Sequence, residues 1–273
     1  MVRKRVLLSN NLSDIHMKLA VFACLLPALL FFSCGDAPEI ESVNTLGTDV
    51  QFSMAEYFEP GQRTLSFKFL TQKQFPCINY RIKSDYQMKG EEIHVSLSEV
   101  EGADVCLEAV APAASFLDLG ELPYGTYPIT LQVGESLTNS GTLVVSEEAY
   151  RLVMEATDGL FIQTPEVLRI PPGAVWGRVL SSAPGLAPQA TQNLIDRMHR
   201  LGANHRTLPE GDYGQFIVDA SGSIHLPNAE PESQFFLDYQ GETSQLAALV
   251  DEVVESYDDA VSVSLHTSGG EEL

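Results

Sequence analysis

Positive charge is scarce in this chain. Sixteen Lys and Arg stand against 37 Asp and Glu in 273 residues, a net charge of −21. A nucleic-acid binder needs a basic face to displace counterions from phosphates, and this balance argues against that partner. Long apolar runs are also missing. The longest, Leu19 to Phe32, is interrupted by Pro27, and at about 1.5 Å per residue it falls short of a hydrocarbon core of roughly 30 Å. Aromatic residues are few, 8% with Trp176 the one tryptophan. Together with a mean hydropathy near zero, that share still argues against a wholly disordered acidic chain and against a polytopic membrane protein. No glycine-rich phosphate loop, H-E-x-x-H, nucleophile elbow or EF-hand loop occurs.

What is present begins with an address. Lys18 precedes the short apolar run, and Ser33-Cys34-Gly35 closes it with small residues, the three parts of a secretory signal. A membrane anchor with a cytoplasmic tail is the rival reading. Phe31-Phe32-Ser33-Cys34 resembles a bacterial lipobox of the looser Bacteroidota type, with Phe31 where the strict motif prefers Leu, Val or Ile. The resemblance covers only Met17 to Gly35. It implies cleavage before Cys34, lipidation of its sulfur, and anchoring to the outer membrane on its periplasmic or surface face. Several acyl chains together hold a protein stably where one does not. Residues 1–33 are then the signal, with Met17 a second candidate start, and residues 34–45 a tether. Asp36, Glu39 and Glu41 loosely resemble an export tag, and a solvated acidic tether looks the same. The acidic remainder should not adhere by itself to anionic lipid.

Cys24 falls in the signal and Cys34 takes lipid, which leaves Cys77 and Cys106. An even pair in an oxidising compartment reads as a disulfide. Two reduced buried thiols are the alternative, and without C-x-x-C spacing the pair makes a poor zinc site.

Residues 46–150 read as one body. Thr64–Phe69, Cys77–Ile82, Glu92–Leu97, Val105–Leu107, Ser115–Leu119, Tyr127–Val133 and Gly141–Val145 alternate or are β-rich, between breaks at Lys89-Gly90, Ala111-Pro112-Ala113 and Leu122–Gly125. About seven strands in 100 residues is the pattern of a β-sandwich. The closing segments, L-P-Y-G-T-Y-P-I-T-L-Q-V and G-T-L-V-V-S, resemble the final hairpin of Ig-like modules, which implies an antiparallel Ig-like sandwich without an active site. No tryptophan lies between the cysteines, so they read as a local staple. Pro128 implies an edge strand. Residues 151–165 read as a linker, and Glu147 to Gly159 as a short helix or a loose connection.

In residues 166–273 the period changes. Val175–Val179 reads as a strand. Ala187, Thr191, Leu194, Met198 and Leu201 then form a helical stripe that accepts Pro188 early and stops at Gly202. Tyr213–Asp219 reads as a strand, Ala220–Ser223 as a turn, Ile224–Leu226 as the return, and Phe235–Tyr239 as its continuation or an extra edge. Thr243 or Ser244 is the expected cap of a second helix whose stripe is Leu246, Leu249, Val250, Val253, Val254 and Tyr257. Ala260–His266 alternates as a last strand. This β-α-β-β-α-β order is that of a ferredoxin-like domain, so the whole reads as all-β plus α+β.

Candidate chemistry is sparse. His199, His205, His225 and His266 fall in the second body, but a six-residue spacing takes His199 and His205 off the helical i, i+4 pairing of metal ligands. Scattered carboxylates (Asp212, Asp219, Asp238, Asp258, Asp259) are expected in so acidic a chain. Arg169, Trp176 and Arg178 are candidate ligand contacts, with ion pairing of the arginines and core burial of the tryptophan as the alternatives. Pro227 to Ser233 reads as a flexible contact loop. No cofactor and no metal is expected. The expected role is a lipid-anchored envelope protein, not an enzyme, that binds a protein or ligand. The alternative is an envelope enzyme or accessory with a site between the bodies.

Overall fold

Period-two alternation builds the first body. In β1 (Val50–Glu59), Val50, Phe52, Met54 and Glu56 are buried while the residues between them reach the surface. The same pattern runs through β2 (Gln62–Cys77), β3 (Arg81–Lys89), β4 (Glu92–Glu101), β5 (Glu108–Asp118), β6 (Gly125–Val133) and β7 (Leu137–Val145). Three further strands, β8 (Ala149–Met154), β9 (Leu160–Ile162) and β10 (Glu166–Leu168), follow. The computed structural model describes Leu46 and residues 49–102 and 105–273. The expected signal segment, the expected lipidation position Cys34 and the expected 34–45 tether lie outside the described residues.

All ten strands share one curled sheet in the order β10-β8-β7-β6-β4-β3-β5-β2-β1-β9. In the ladder its two halves, β9-β1-β2-β5 and β3-β4-β6-β7-β8-β10, are joined by the parallel bridge Arg81–Ala114. Inward residues of both halves, among them Phe52, Phe67, Phe69, Ile93, Leu131 and Leu143, form one core. Cys77 and Cys106 are joined in a disulfide with Cα atoms 5.3 Å apart. It staples the end of β2 to the approach of β5, where Cys77 pairs with Glu108.

Several expectations give way here. Residues 105–107 are not a strand, and Ala111-Pro112-Ala113 does not break the chain but lies inside β5. Pro112 is opposite Gln74, beside two register shifts of the β2–β5 ladder, where a missing N–H costs little. Pro128 is not on an edge strand, since β6 lies between β4 and β7. The β4 pairing starts only at Ile129, so Pro128 precedes the doubly bonded stretch. Ala149–Met154 is neither helix nor linker but β8, antiparallel to β7. With β9 it draws residues 151–165 into the sheet.

The second body is built around β11 (Ala174–Ser181), followed by α1 (Leu186–Arg200), a meander of β12 (Gly211–Asp212), β13 (Ile217–Val218) and β14 (Ile224–His225), then β15 (Gln234–Asp238), α2 (Thr243–Ser256) and β16 (Val261–Thr267). β15, β11 and β16 form an antiparallel sheet with β11 in the centre. Val175 and Val179 pack with Leu194 and Met198 of α1 and with Leu246 and Val253 of α2. The opposite face carries Ala174 and Trp176 into a second cluster with Leu208, Tyr213, Phe216 and Val218. Burial on both faces is why β11 is apolar almost throughout. Phe58 of β1 and Leu168 of β10 pack against this cluster, so the two bodies share it.

The segment Tyr213–Asp219 is a tight reversal between β12 and β13 and not one strand. Gly214 makes the turn at φ +77°, and a Cβ there would stand 2.8 Å from the Ala55 Cα. The α2 cap is Glu242, whose side chain makes no capping bond, in place of Thr243 or Ser244. Asp258 and Asp259, which oppose the helix dipole, take φ values of +52° and +58°. Asp tolerates that left-handed region better than most residues, which accounts for their place. Among the described residues no helix is long and apolar enough to cross a membrane.

Candidate functional site

The alternation of β1 puts one carboxylate into its inward phase. Glu56 is wholly buried and stands where the strand meets the second body. Its Oε1 accepts from Tyr150 Oη at 3.0 Å and from Arg169 Nε at 3.1 Å, and its Oε2 from the Ile170 amide at 3.2 Å. Arg63 lies 3.4 Å away, and the Glu56 carbonyl accepts from Gln215 Nε2 at 2.8 Å. Burial, and then the Glu56 charge, pushes the Tyr150 phenol well above its usual range. A charge without water is tolerable only with such partners.

Arg63 lines two clefts between the bodies. One, of about 520 Å³, is polar and lined by Gln62, Tyr239, Gln240, Thr243 and Glu271. The other, of about 600 Å³, is lined by Tyr124, Glu148, Arg169, Arg206 and Tyr213. A third depression, of about 670 Å³, lies on the outer face of β1, β2 and β5. Tyr57 and Phe116 line it and are 43% and 59% exposed. Between them Ser66 Oγ donates to Asp118, and burial with the Asp118 charge raises the Tyr57 phenol.

The structure separates the ligand contacts expected from the sequence. The Arg169 side chain is committed to Glu56 and to the Ser146 carbonyl at 3.2 Å, over the rings of Tyr124 and Tyr150. Trp176 is buried against Phe58, Phe216 and His266. Arg178 donates to the Pro227 carbonyl at 2.8 Å, which ties down part of the Pro227–Ser233 loop; the loop ends in a 3-10 turn at Pro231–Ser233. Trp176 and Arg178 line one small cavity with His266, while Arg169 lines the cleft of about 600 Å³.

Sequence reasoning passed over Glu56, although a charge in phase with Val50, Phe52 and Met54 was the available signal. Residues that the sequence names singly also gather into two side-chain clusters. Asp219 Oδ1 accepts from Ser221 Oγ at 2.6 Å and its Oδ2 lies 2.7 Å from His225 Nε2. The Ser221 and His225 contacts hold this carboxyl well below its usual range. A nucleophile relay needs the imidazole between serine and carboxylate. Here the carboxylate is in the middle, so the trio closes a turn. The second cluster is His199 and His205, whose Nε2 atoms lie 3.2 Å apart. Among the described residues no three His, Cys, Asp or Glu side chains converge as a metal site.

Compared as a whole, the chain matches no protein-family model, no curated protein and no solved structure.

Proposed function

We propose that this chain is a lipid-anchored cell-envelope protein, held at the outer membrane through Cys34, and that its two-body unit is a binding module for a protein or ligand. Anchoring is supported by the lipobox-like Phe31–Cys34 segment. The Cys77–Cys106 disulfide supports an oxidising compartment. The binding reading is carried by the depression on β1, β2 and β5, where exposed aromatic rings flank hydroxyl and carboxylate groups.

The fold reading follows the same line. We infer an Ig-like relationship for the first body, supported by the adjacency of β1, β2 and β5 in one half-sheet and of β6 and β7 in the other. The parallel β4–β6 pairing departs from that plan. A ferredoxin-like relationship for the second body is supported by the order β15-β11-β16 with both helices on one face. The fourth strand is reduced to the bridge Asn204–Asp238.

Metabolic labelling with palmitate, with and without globomycin, tests the anchor. Label on wild type but not on Cys34→Ala is expected, and an unlabelled wild type removes the anchor. Whole-cell crosslinking followed by membrane pull-down tests the module. A discrete adduct that Phe116→Ser loses is expected, and unchanged adducts overturn the role of this face. A second reading, an envelope enzyme or accessory acting between the bodies, is favoured by the two clefts beside Arg63.

A further inference from the structure

The second body brings together two histidines that their sequence spacing holds apart. His199 occupies the last turn of α1. The helix ends at Leu201, Gly202 turns the chain at φ +96°, and the return is pinned by paired amide bonds of 2.8 Å between Asn204 and Asp238. His205, the next residue, is thereby laid over His199 with ring centroids 4.7 Å apart and ring planes at 58°.

The hydrogen positions follow from chemistry. His199 Nδ1 lies 2.8 Å from the Ala203 carbonyl oxygen. A carbonyl only accepts, so Nδ1 carries the hydrogen and Nε2 of the neutral ring presents a lone pair. His205 Nε2 stands 3.2 Å from that atom. Two imidazoles sharing a coaxial N–H···N bond of that length would hold their centroids roughly 5.5 Å apart. The shorter separation found means that the two rings are canted off a common axis, with both Nε2 atoms within reach of one bridging ion. With metal–nitrogen bonds of about 2.0–2.1 Å, a spacing of 3.2 Å subtends roughly 100–105° at one ion, close to tetrahedral.

We propose that His199 and His205 form a two-imidazole site for a divalent late transition-metal ion, Zn²⁺ or Cu²⁺, with water completing the coordination. Three surrounding features favour a cation. The Ala203 carbonyl fixes the tautomer and orientation of His199, as the outer partners of metal-bound histidines commonly do. The C-terminus of α1 contributes the negative end of a helix dipole. Of the neighbouring arginines, Arg197 pairs with Glu252 and Arg206 with Asp238, each at 3.3 Å, which offsets their charge beside the site. His205 is exposed, so the ion enters without any rearrangement of the core. Imidazole ligands suit both metals, with Cu²⁺ bound the tighter.

Equilibrium dialysis of the untagged, detergent-solubilised full chain against Zn²⁺ and Cu²⁺ tests the site, with electron paramagnetic resonance of the Cu²⁺ form. Expected is an ion whose spectrum carries the coupling of two imidazole nitrogens. Its affinity falls at least about tenfold in His205→Ala, and likewise in His199→Ala, while His225→Ala leaves it unchanged. Circular dichroism of His205→Ala should match wild type, which separates ligand loss from misfolding. Failure to bind either metal, or binding untouched by His205→Ala, overturns the proposal and leaves the pair an N–H···N contact.

Discussion

The Arg169 guanidinium meets the Glu56 carboxylate at 3.1 Å, with the two side chains 9% and 0% exposed. The pair joins the first strand of the large sheet to the segment that leads out of its last. With so little water at either group, the balance between desolvation and attraction depends on both partners being present.

Arg169→Ala should therefore cost about 3–5 kcal/mol, because it leaves a buried carboxylate short of its main cation. A double variant, Glu56→Leu with Arg169→Leu, should cost clearly less than Arg169→Ala alone. Urea denaturation of the three proteins checks the order. Equal losses would show that the junction does not depend on the charge pair.

The Tyr150 phenol, raised by burial and by Glu56, predicts an alkaline limit to stability. Above the unfolded value of about 10, the folded state keeps a proton that the unfolded chain has released, so stability falls as pH rises. Below that value the contribution is fully present. Tyr150→Phe should flatten this fall, measured as the urea midpoint between pH 8 and 11. Tyr57, Tyr127 and Tyr213 are also raised, so some slope should survive.

Reduction of Cys77–Cys106, separated by 29 residues, should lower stability by about 3–4 kcal/mol in the chain-entropy model. Denaturation of wild type with and without reductant, beside Cys77→Ser/Cys106→Ser, checks it. The double variant should be insensitive to reductant.

Trp176 sits at the seam between the bodies with 2% of its surface exposed. Its fluorescence should be blue-shifted and shielded from acrylamide. Its unfolding transition should coincide with that of far-ultraviolet circular dichroism, since the cluster is shared. Two separate transitions would mean that the bodies melt independently. Trp176→Ala should cost about 3–5 kcal/mol.

Elements with a clear period were legible in the sequence. The stripe Leu246, Leu249, Val250 and Val253 is the buried face of α2, and Glu92–Leu97 and Tyr127–Val133 are strands. What escaped was decided by tertiary context. Pro112 and Pro128 read as a break and an edge because a lone sequence does not show where a neighbouring ladder begins. Each strand in residues 149–168 is too short to carry a clear period, so β8 and β9 passed for a connection and β10 for the start of the second body. At the candidate sites, Glu56 could be flagged by phase, but its partners Tyr150 and Arg169 lie about a hundred residues away. His199 and His205 meet only because Gly202 and the Asn204–Asp238 bridge reverse the chain.

The ten-stranded sheet takes β8, β9 and β10 from chain that follows residue 148, and β9 runs alongside β1. A protease or an expression plasmid that severed the polypeptide near residue 155 would not release two halves. It would strip the earlier fragment of β9 and β10 and leave exposed strand edges, so aggregation rather than modular survival should mark any attempt to divide this molecule by its sequence boundary.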